Sequence, residues 1–354
     1  MFIRSGDFEV SIHSLLFQPE FYLFDFNPQH GLTRFLVVRE DIQDQAPFID
    51  IRLEQMAQAK FNVSTQELFS LEGQHDIERP AIHYIFHHAF VCSTLLARCL
   101  NQIDAFFSLK EPWILRRLAD FKRAKRPPEA QWREMFKKYN ALLSKNFSNG
   151  QSTVVKASNV ANNLIVDVLK LMPDSRILYL YSDLQSFLVS NLKKTAETQQ
   201  KMPALYSSFS KDSDFAKRFS RFADPNRFSL LEVCALIWVA NLYSLNRVLR
   251  RHPEGAVVTL DMHSLLSDPE KYLSKTSGYF GHEPSQHDLD LMTHENVMQR
   301  NAKDPRQRYG SEARQKESEP ILQRHQAEID AVLKWIDPVI ADLGLDEFMQ
   351  SRAI

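Results

Sequence analysis

Apolar and polar positions along this chain fall into two rhythms. Short unbroken runs of aromatic and β-branched residues at 82–86, 105–109, 152–156, 176–181 and 256–260 predict strands buried on both faces. Between and after them, apolar residues recur every three or four positions over 94–101, 112–123, 130–146, 159–171, 184–194 and 228–252, which predicts helices. This alternation predicts a mostly parallel sheet with helices on both faces, the doubly wound α/β class. The strands ending near Phe86, Val155 and Tyr181 are expected side by side. Ligands of such sheets sit beyond the C-terminal strand ends, so chemistry is sought there.

Residues 1–79 read as an N-terminal extension, with strand-like pieces at 21–26 and 35–38 and a helical stretch at 46–59, and residues 80–354 as the α/β domain. Two segments break the pattern. Residues 122–128 form a basic, proline-ended turn, and 195–227, rich in Ser, Lys, Arg and Asp, reads as a solvated loop or a lid over a site. Residues 285–354 form a polar tail followed by a helix at 320–343.

With 354 residues, 44% of them hydrophobic and 25 of them Phe, the chain can bury a large core. Its 43 basic and 44 acidic residues nearly cancel, so nothing global points to nucleic acid. Cys92, Cys99 and Cys234 are too few and scattered for a disulfide framework, which suits a reducing, cytoplasmic setting. The N-terminus lacks the basic-then-apolar order of a signal peptide. The apolar stretch 230–245 carries Glu232, Asn241 and Ser244, so a buried helix is expected there instead of a membrane span.

The richest stretch is 81–100, a strand, a tight loop and a helix opened by Ser93 and Thr94. A strand feeding a helix N-terminus gathers unpaired backbone N–H groups and the positive dipole end, a cradle for phosphate or sulfate. The loop holds no glycine, the nearest being Gly73 and Gly150, which argues against a Walker-type ATP loop and phosphate transfer from ATP. His87 and His88 lack carboxylate or further cysteine partners at ligand spacing beyond Cys92, so no metal is expected. Other strand ends carry Lys110-Glu111-Pro112, Lys156-Ala157-Ser158-Asn159 and Ser182-Asp183, with Ser190 two turns into the next helix. Glu111, Ser158 or Asn159, and Asp183 can each be read as helix caps or as site residues.

Those residues resemble the sulfotransferase family. HHAFVCSTLL is similar to its Gly-x-Pro-(Arg/Lys)-Ser-Gly-Thr-Thr-Leu-Leu loop, which binds the 5′-phosphosulfate of 3′-phosphoadenosine 5′-phosphosulfate. Lys156-Ala157-Ser158 resembles the family's Lys-(Thr/Ser)-Pro segment, and RILYLYSDLQSFLVS, ending at Ser190, its 3′-phosphate motif. LKEPWIL is similar to a strand end whose glutamate is the catalytic base, and VVTLDMHSLLSDPEKYL matches a later element at Leu265, Asp268 and Pro269. The resemblance covers about residues 81–284 and implies a P-loop NTPase-like sheet of sulfotransferase type. It implies Glu111 as general base, Lys156 or Lys110 supplying positive charge, and His88, Cys92, Ser93, Thr94 and Leu95 around the 5′-phosphosulfate. Ser182, Asp183, Ser190 and Lys303 would serve the 3′-phosphate side, Asp183 by fixing the turn that presents Ser190. The acceptor would be a hydroxyl or amine of a small molecule, glycan or peptide.

The chain departs from the family where charge is concerned. His87 and Cys92 stand at the two glycine positions, Phe90 at the basic position, and Ser182 at the arginine of the 3′-phosphate motif. Lys156, Lys110, His87, His88 and the basic tail residues Arg300, Lys303, Arg306 and Arg308 are the substitutes the sequence offers, and an arginine restored at 182 is expected to raise nucleotide affinity. A noncatalytic nucleotide- or ligand-binding relative that kept the fold is the alternative to an enzyme.

Overall fold

The structure is a computed structural model and describes residues 2–5, 8–72, 79–125, 127–148, 150–252, 255–301 and 310–354. Strands β1 (Phe2–Ser5) and β2 (Phe8–Ser11) pair antiparallel, and β3 (Phe21–Asn27), β4 (Leu32–Val37) and β5 (Ala59–Ser64) form a three-stranded antiparallel sheet. Five further strands, β6 (Ile82–His87), β7 (Phe106–Lys110), β8 (Ser152–Lys156), β9 (Ile177–Tyr181) and β10 (Val257–Asp261), make a sheet in the order β10-β9-β6-β8-β7. β6 and β7 both run parallel to β8, with Ile85 and Lys110 the register partners of Lys156 on its two sides. Every residue of β6 and β7 is buried, which is why these strands read as unbroken apolar runs instead of alternating ones. The doubly wound α/β class and the neighbouring placement of the strands ending near Phe86, Val155 and Tyr181 are as the alternation predicted.

Contacts gather the chain into two units: Met1–Phe86, Thr94–Ile177 and Ser277–His294 in one, His87–Ser93, Leu178–Thr276 and Glu295–Ile354 in the other. In the first unit, segment 46–59 differs from its helical expectation. Asp50 caps a short 3-10 turn, Ile51–Gln55, and the residues before it are not helical, Ile49 donating its N–H to the Lys110 carbonyl at 2.6 Å and accepting the Trp113 N–H at its own carbonyl at 3.0 Å. Those backbone bonds hold the segment against the end of β7 and override the local helical pattern. The buried Lys145 donates to the carbonyls of Leu15, Gln18 and Phe21, tying together the turn that leads into β3.

In the second unit the helix Leu230–Leu249 is apolar on nearly all sides and correspondingly buried, opened by a reciprocal capping box between Ser229 and Glu232. Segment 195–227 is not the loop its polar composition predicts. It folds into the helices Ala196–Gln199, Met202–Ser213 and Phe215–Arg218, followed by two 3-10 turns. Its lysines and arginines are exposed, while Tyr206, Phe209, Phe215 and Phe222 are buried, and Tyr206 Oη donates to the Phe222 carbonyl at 2.8 Å. The last long helix, Ser311–Leu343, starts earlier than the pattern predicts and stops at Gly344, whose φ of 59° is the left-handed conformation that ends helices. Among the described residues no helix is long and apolar enough to cross a membrane.

Candidate functional site

In the first unit the ends of β7 and β8 set three charged side chains together. Lys110 and Lys156 are register partners, yet their ammonium groups serve different partners. Lys110, 1% exposed, donates to the Asp44 carbonyl, and burial pushes its pKa down to about 8 against the pull of Asp44. Lys156, 2% exposed, pairs with the Glu111 carboxylate, and its ammonium lies 5.6 Å from the centroid of the Phe48 ring. Glu111 sits at φ 57°, a left-handed conformation unusual for any residue other than glycine, with its backbone N–H donating to the Lys156 carbonyl at 2.7 Å. That turn lifts the carboxylate out of the strand direction and onto Lys156. The following helix begins at Trp113, so the carboxylate's observed partner is a lysine and not a helix N-terminus. Lys110 is committed to the Asp44 carbonyl, so the charge the sequence offered there is spent on the end of the helix Glu40–Gln45.

Thr94 and Leu95 open the helix Ser93–Leu100 in the same unit, both nearly buried. Ser158 caps the 3-10 turn Asn159–Leu164 by position, without a side-chain hydrogen bond to it.

The second unit contains the loop 87–93 and the start of the helix Leu184–Leu192. The loop lacks glycine but takes glycine-like conformations: Ala89, Phe90 and Cys92 have φ of 86°, 59° and 60°. Cys92 therefore holds a glycine-like backbone conformation while carrying a side chain. His88 is fully buried and accepts the Ser182 backbone N–H at Nε2, 2.8 Å away, while Trp238 Nε1 donates to the Ser182 carbonyl at 3.0 Å. Both main-chain groups of Ser182 are thus held, and its side chain is 1% exposed. An arginine at this position would have to displace the groups that enclose Ser182. Burial pushes the His88 pKa down to about 4, so the ring is neutral and serves as an acceptor.

Asp183 caps the helix Leu184–Leu192, accepting from Ser186 N–H at 2.8 Å. It also faces His263 Nε2 at 2.9 Å, and Ser186 Oγ lies 2.9 Å from the same nitrogen. Burial acts to raise the Asp183 pKa, but the hydrogen bonds from His263 and Ser186 outweigh it and hold the value down to about 2. The same hydrogen bond to Asp183 raises the His263 pKa. Ser190 lies within the helix, partly buried. Lys303, Arg306 and Arg308 lie outside the described residues.

Sequence reasoning missed three side chains at this loop. Lys194 holds its ammonium 4.4 Å from the centroid of the Phe90 ring, Arg314 donates from Nη1 to Cys92 Sγ, and His263 pairs with Asp183. Nothing local marks them, because each reaches the loop from an element distant in sequence. Among the described residues no group of three or more His, Cys, Asp or Glu residues is arranged to hold a metal ion.

No protein-family model matches the chain, and no curated protein sequence matches it. In structure it is similar to solved sulfotransferases. The sulfotransferase domain from the curacin biosynthetic pathway aligns over 70% of this chain and 98% of its own, at 13% identity and a TM-score of 0.42. A sulfotransferase from Alicyclobacillus acidocaldarius aligns over 72% and 97%, at 16% identity and a TM-score of 0.37. Retinol dehydratase, solved with androsterone and the inactive cofactor PAP, aligns over 73% and 82%, at 11% identity and a TM-score of 0.33. Likeness at this level concerns the course of the chain and says nothing of activity.

Proposed function

We propose that this chain is a sulfotransferase-like enzyme that moves a sulfuryl group from 3′-phosphoadenosine 5′-phosphosulfate to a hydroxyl or amine of a small molecule, glycan or peptide. The observation that carries the reading is the Glu111–Lys156 pair at adjacent strand ends, with Glu111 24% exposed and Lys156 buried behind it. A general base must be ionised before reaction and must reach the acceptor proton. The left-handed turn at Glu111 turns its carboxylate out of the strand and onto Lys156 while leaving it partly open to solvent. Phosphosulfate, when bound, supplies the sulfuryl group, its bridging S–O bond breaking as the acceptor oxygen or nitrogen bonds to sulfur. Glu111 takes the acceptor proton, and Ser93, Thr94 and the N–H groups that open their helix hold the 5′ anionic group.

The test is release of 3′-phosphoadenosine 5′-phosphate from the phosphosulfate, with water and a panel of alcohols and amines as acceptors. Wild-type protein is expected to turn over, and Glu111→Gln to lose at least about a hundredfold in rate while binding the bisphosphate as before. Wild-type protein that binds the bisphosphate and turns over with no acceptor would favour the noncatalytic binding relative. The aromatic Phe90 at the family's basic position is the observation on that side.

A further inference from the structure

We propose that the second unit carries a binding pocket for a flat aromatic anion, floored by Phe222, Phe228 and Trp335 and rimmed by Arg221 and Arg227. The inference stands apart from the sulfotransferase-like reading, which assigns none of these residues.

The segment before the helix Leu230–Leu249 folds as two 3-10 turns, Ser220–Phe222 and Pro225–Arg227. The last long helix, Ser311–Leu343, brings Trp335 and Pro338 against them. Three rings meet there. The centroid of Trp335 lies 5.5 Å from that of Phe222 and 5.7 Å from that of Phe228, and the two phenylalanines are 5.9 Å apart. Their planes are inclined by 72°, 47° and 62°, so the rings present angled faces and do not close into a stack. Phe222 is buried, whereas Phe228 and Trp335 keep part of their surface open. Beside them lies an open pocket of about 330 Å³, lined by the three rings, Arg221, Arg227 and Pro338. An apolar cavity of about 150 Å³ admits one benzene ring, so this pocket has room for two fused rings.

Every polar side-chain group in that lining is a donor. Arg221 and Arg227 present guanidinium N–H groups and Trp335 an indole N–H, while no lining side chain offers an acceptor oxygen. The Phe222 carbonyl already accepts from Tyr206 Oη at 2.8 Å. Among the described residues neither guanidinium has a carboxylate partner, and Arg221 lies over the Phe222 ring, 4.7 Å from its centroid. Asp224, between the two arginines in sequence, is taken by the Asn226 backbone N–H at 3.0 Å and side-chain Nδ2 at 3.1 Å. Asp337, next to Pro338, is exposed and does not line the pocket. The cations just upstream are treated differently: Lys217 pairs with Asp214 at 2.7 Å and Arg218 with Asp342 at 2.9 Å. Aromatic faces alone would attract a cation, but two guanidinium groups at the rim oppose one. The arrangement suits a flat ring resting on Phe228 and Trp335, with an attached sulfonate, sulfate, carboxylate or phosphate gripped by the forked guanidinium groups.

The experiment is calorimetric titration of the full chain with four probes: naphthalene-2-sulfonate, the cation 2-naphthylmethylammonium, inorganic sulfate and adenosine 5′-monophosphate. Naphthalene-2-sulfonate is expected to bind one per chain, at least about tenfold tighter than the naphthyl cation or sulfate alone. Arg221→Gln and Arg227→Gln are each expected to weaken it by about tenfold, and the salt dependence of binding should flatten in the double variant. Trp335→Phe keeps a ring but loses the N–H and should cost no more than about threefold, whereas Trp335→Ala should cost more. If Trp335→Ala fails to fold, the arginine variants, both at exposed positions, carry the test. Lys217→Met, an exposed lysine paired with Asp214, is the control and should bind as wild type does. Adenosine 5′-monophosphate bound more tightly than the sulfonate, and lost in the same arginine variants, supports the pocket and makes a nucleoside base the ring it takes. Sulfonate binding undiminished in both arginine variants overturns the site, as does equal affinity for the naphthyl cation. Failure of every probe to bind wild-type protein at millimolar concentration overturns it too.

Discussion

Lys156 and Glu111 are joined twice, ammonium to carboxylate through their side chains and carbonyl to N–H through their backbones, the latter at 2.7 Å. The two bonds make one rigid corner from the ends of β7 and β8. Lys156 is 2% exposed, so its charge is tolerated inside the protein because Glu111 answers it. Removing one member of a buried pair leaves the other uncompensated, typically at a cost of about 3–5 kcal/mol. Glu111→Gln is therefore expected to lower the unfolding free energy by about 3 kcal/mol, and Glu111→Gln with Lys156→Met to recover most of it. Urea unfolding of the single and double variants measures this. A single variant as stable as wild type would mean the pair contributes nothing to the fold.

Two buried imidazoles make stability depend on pH. Burial pushes His88 down to about 4, and burial with the nearby Arg176 does the same to His83. Both rings accept a backbone N–H, Ser182 to His88 and Arg176 to His83, so protonation breaks a bond as well as burying a charge. In the unfolded chain each titrates near 6.5. The native state then binds fewer protons between the two values, so stability is complete above about 6.5 and falls as pH drops toward 4. Each histidine accounts for at most about 3 kcal/mol of that fall. His263 shifts the other way through its bond to Asp183, and its contribution is lost as pH rises above 6.5. Chemical unfolding at several pH values is expected to show the acid-side decline, and His88→Gln to make it shallower by close to one proton. An unchanged slope in that variant would place the proton uptake elsewhere.

Ser182 shows why an alignment alone misleads here. Its side chain is enclosed, its N–H is bound to His88 and its carbonyl to Trp238. Ser182→Arg must bury a guanidinium or expel the helix packed above it, and is expected to cost about 3 kcal/mol or more without raising nucleotide affinity. Thermal unfolding and bisphosphate titration of this variant decide the matter. A stable variant with tightened binding would mean the pocket opens more readily than its packing implies.

The sheet was legible because strands buried on both faces leave apolar runs that no loop imitates. β8 was read to the residue, and β6, β7, β9 and β10 to within one residue at each end. Segments 46–59 and 195–227 were misread for opposite reasons. In the first, backbone bonds from Ile49 to Lys110 and Trp113 override a helical pattern. In the second, polar residues conceal an aromatic set, Tyr206, Phe209, Phe215 and Phe222, whose burial becomes visible only in three dimensions. The convergence of Glu111 and Lys156 was legible because each sits where a strand ends. Lys194 and Arg314 were not, because a cation brought to a loop from another element leaves no local trace.

The glycine-free loop offers a sharp test of its backbone. Ala89 holds φ at 86°, where the Cβ of an L-residue crowds its own main chain at a cost of about 1–2 kcal/mol. Glycine removes that crowding but adds about 0.5–1 kcal/mol of chain entropy to be lost on folding. The difference predicts that Ala89→Gly is neutral or stabilising by up to about 1 kcal/mol. Ala97, fully buried in the helix Ser93–Leu100, is the comparison, since Ala97→Gly loses helix propensity and packing together. It is expected to cost about 1 kcal/mol or more. Urea midpoints for the two variants should therefore move apart, with Ala89→Gly at or above wild type and Ala97→Gly below it. Equal losses in both would mean that position 89 does not hold the left-handed conformation in solution, and that the loop is wound differently from the one that brings Phe90 under Lys194.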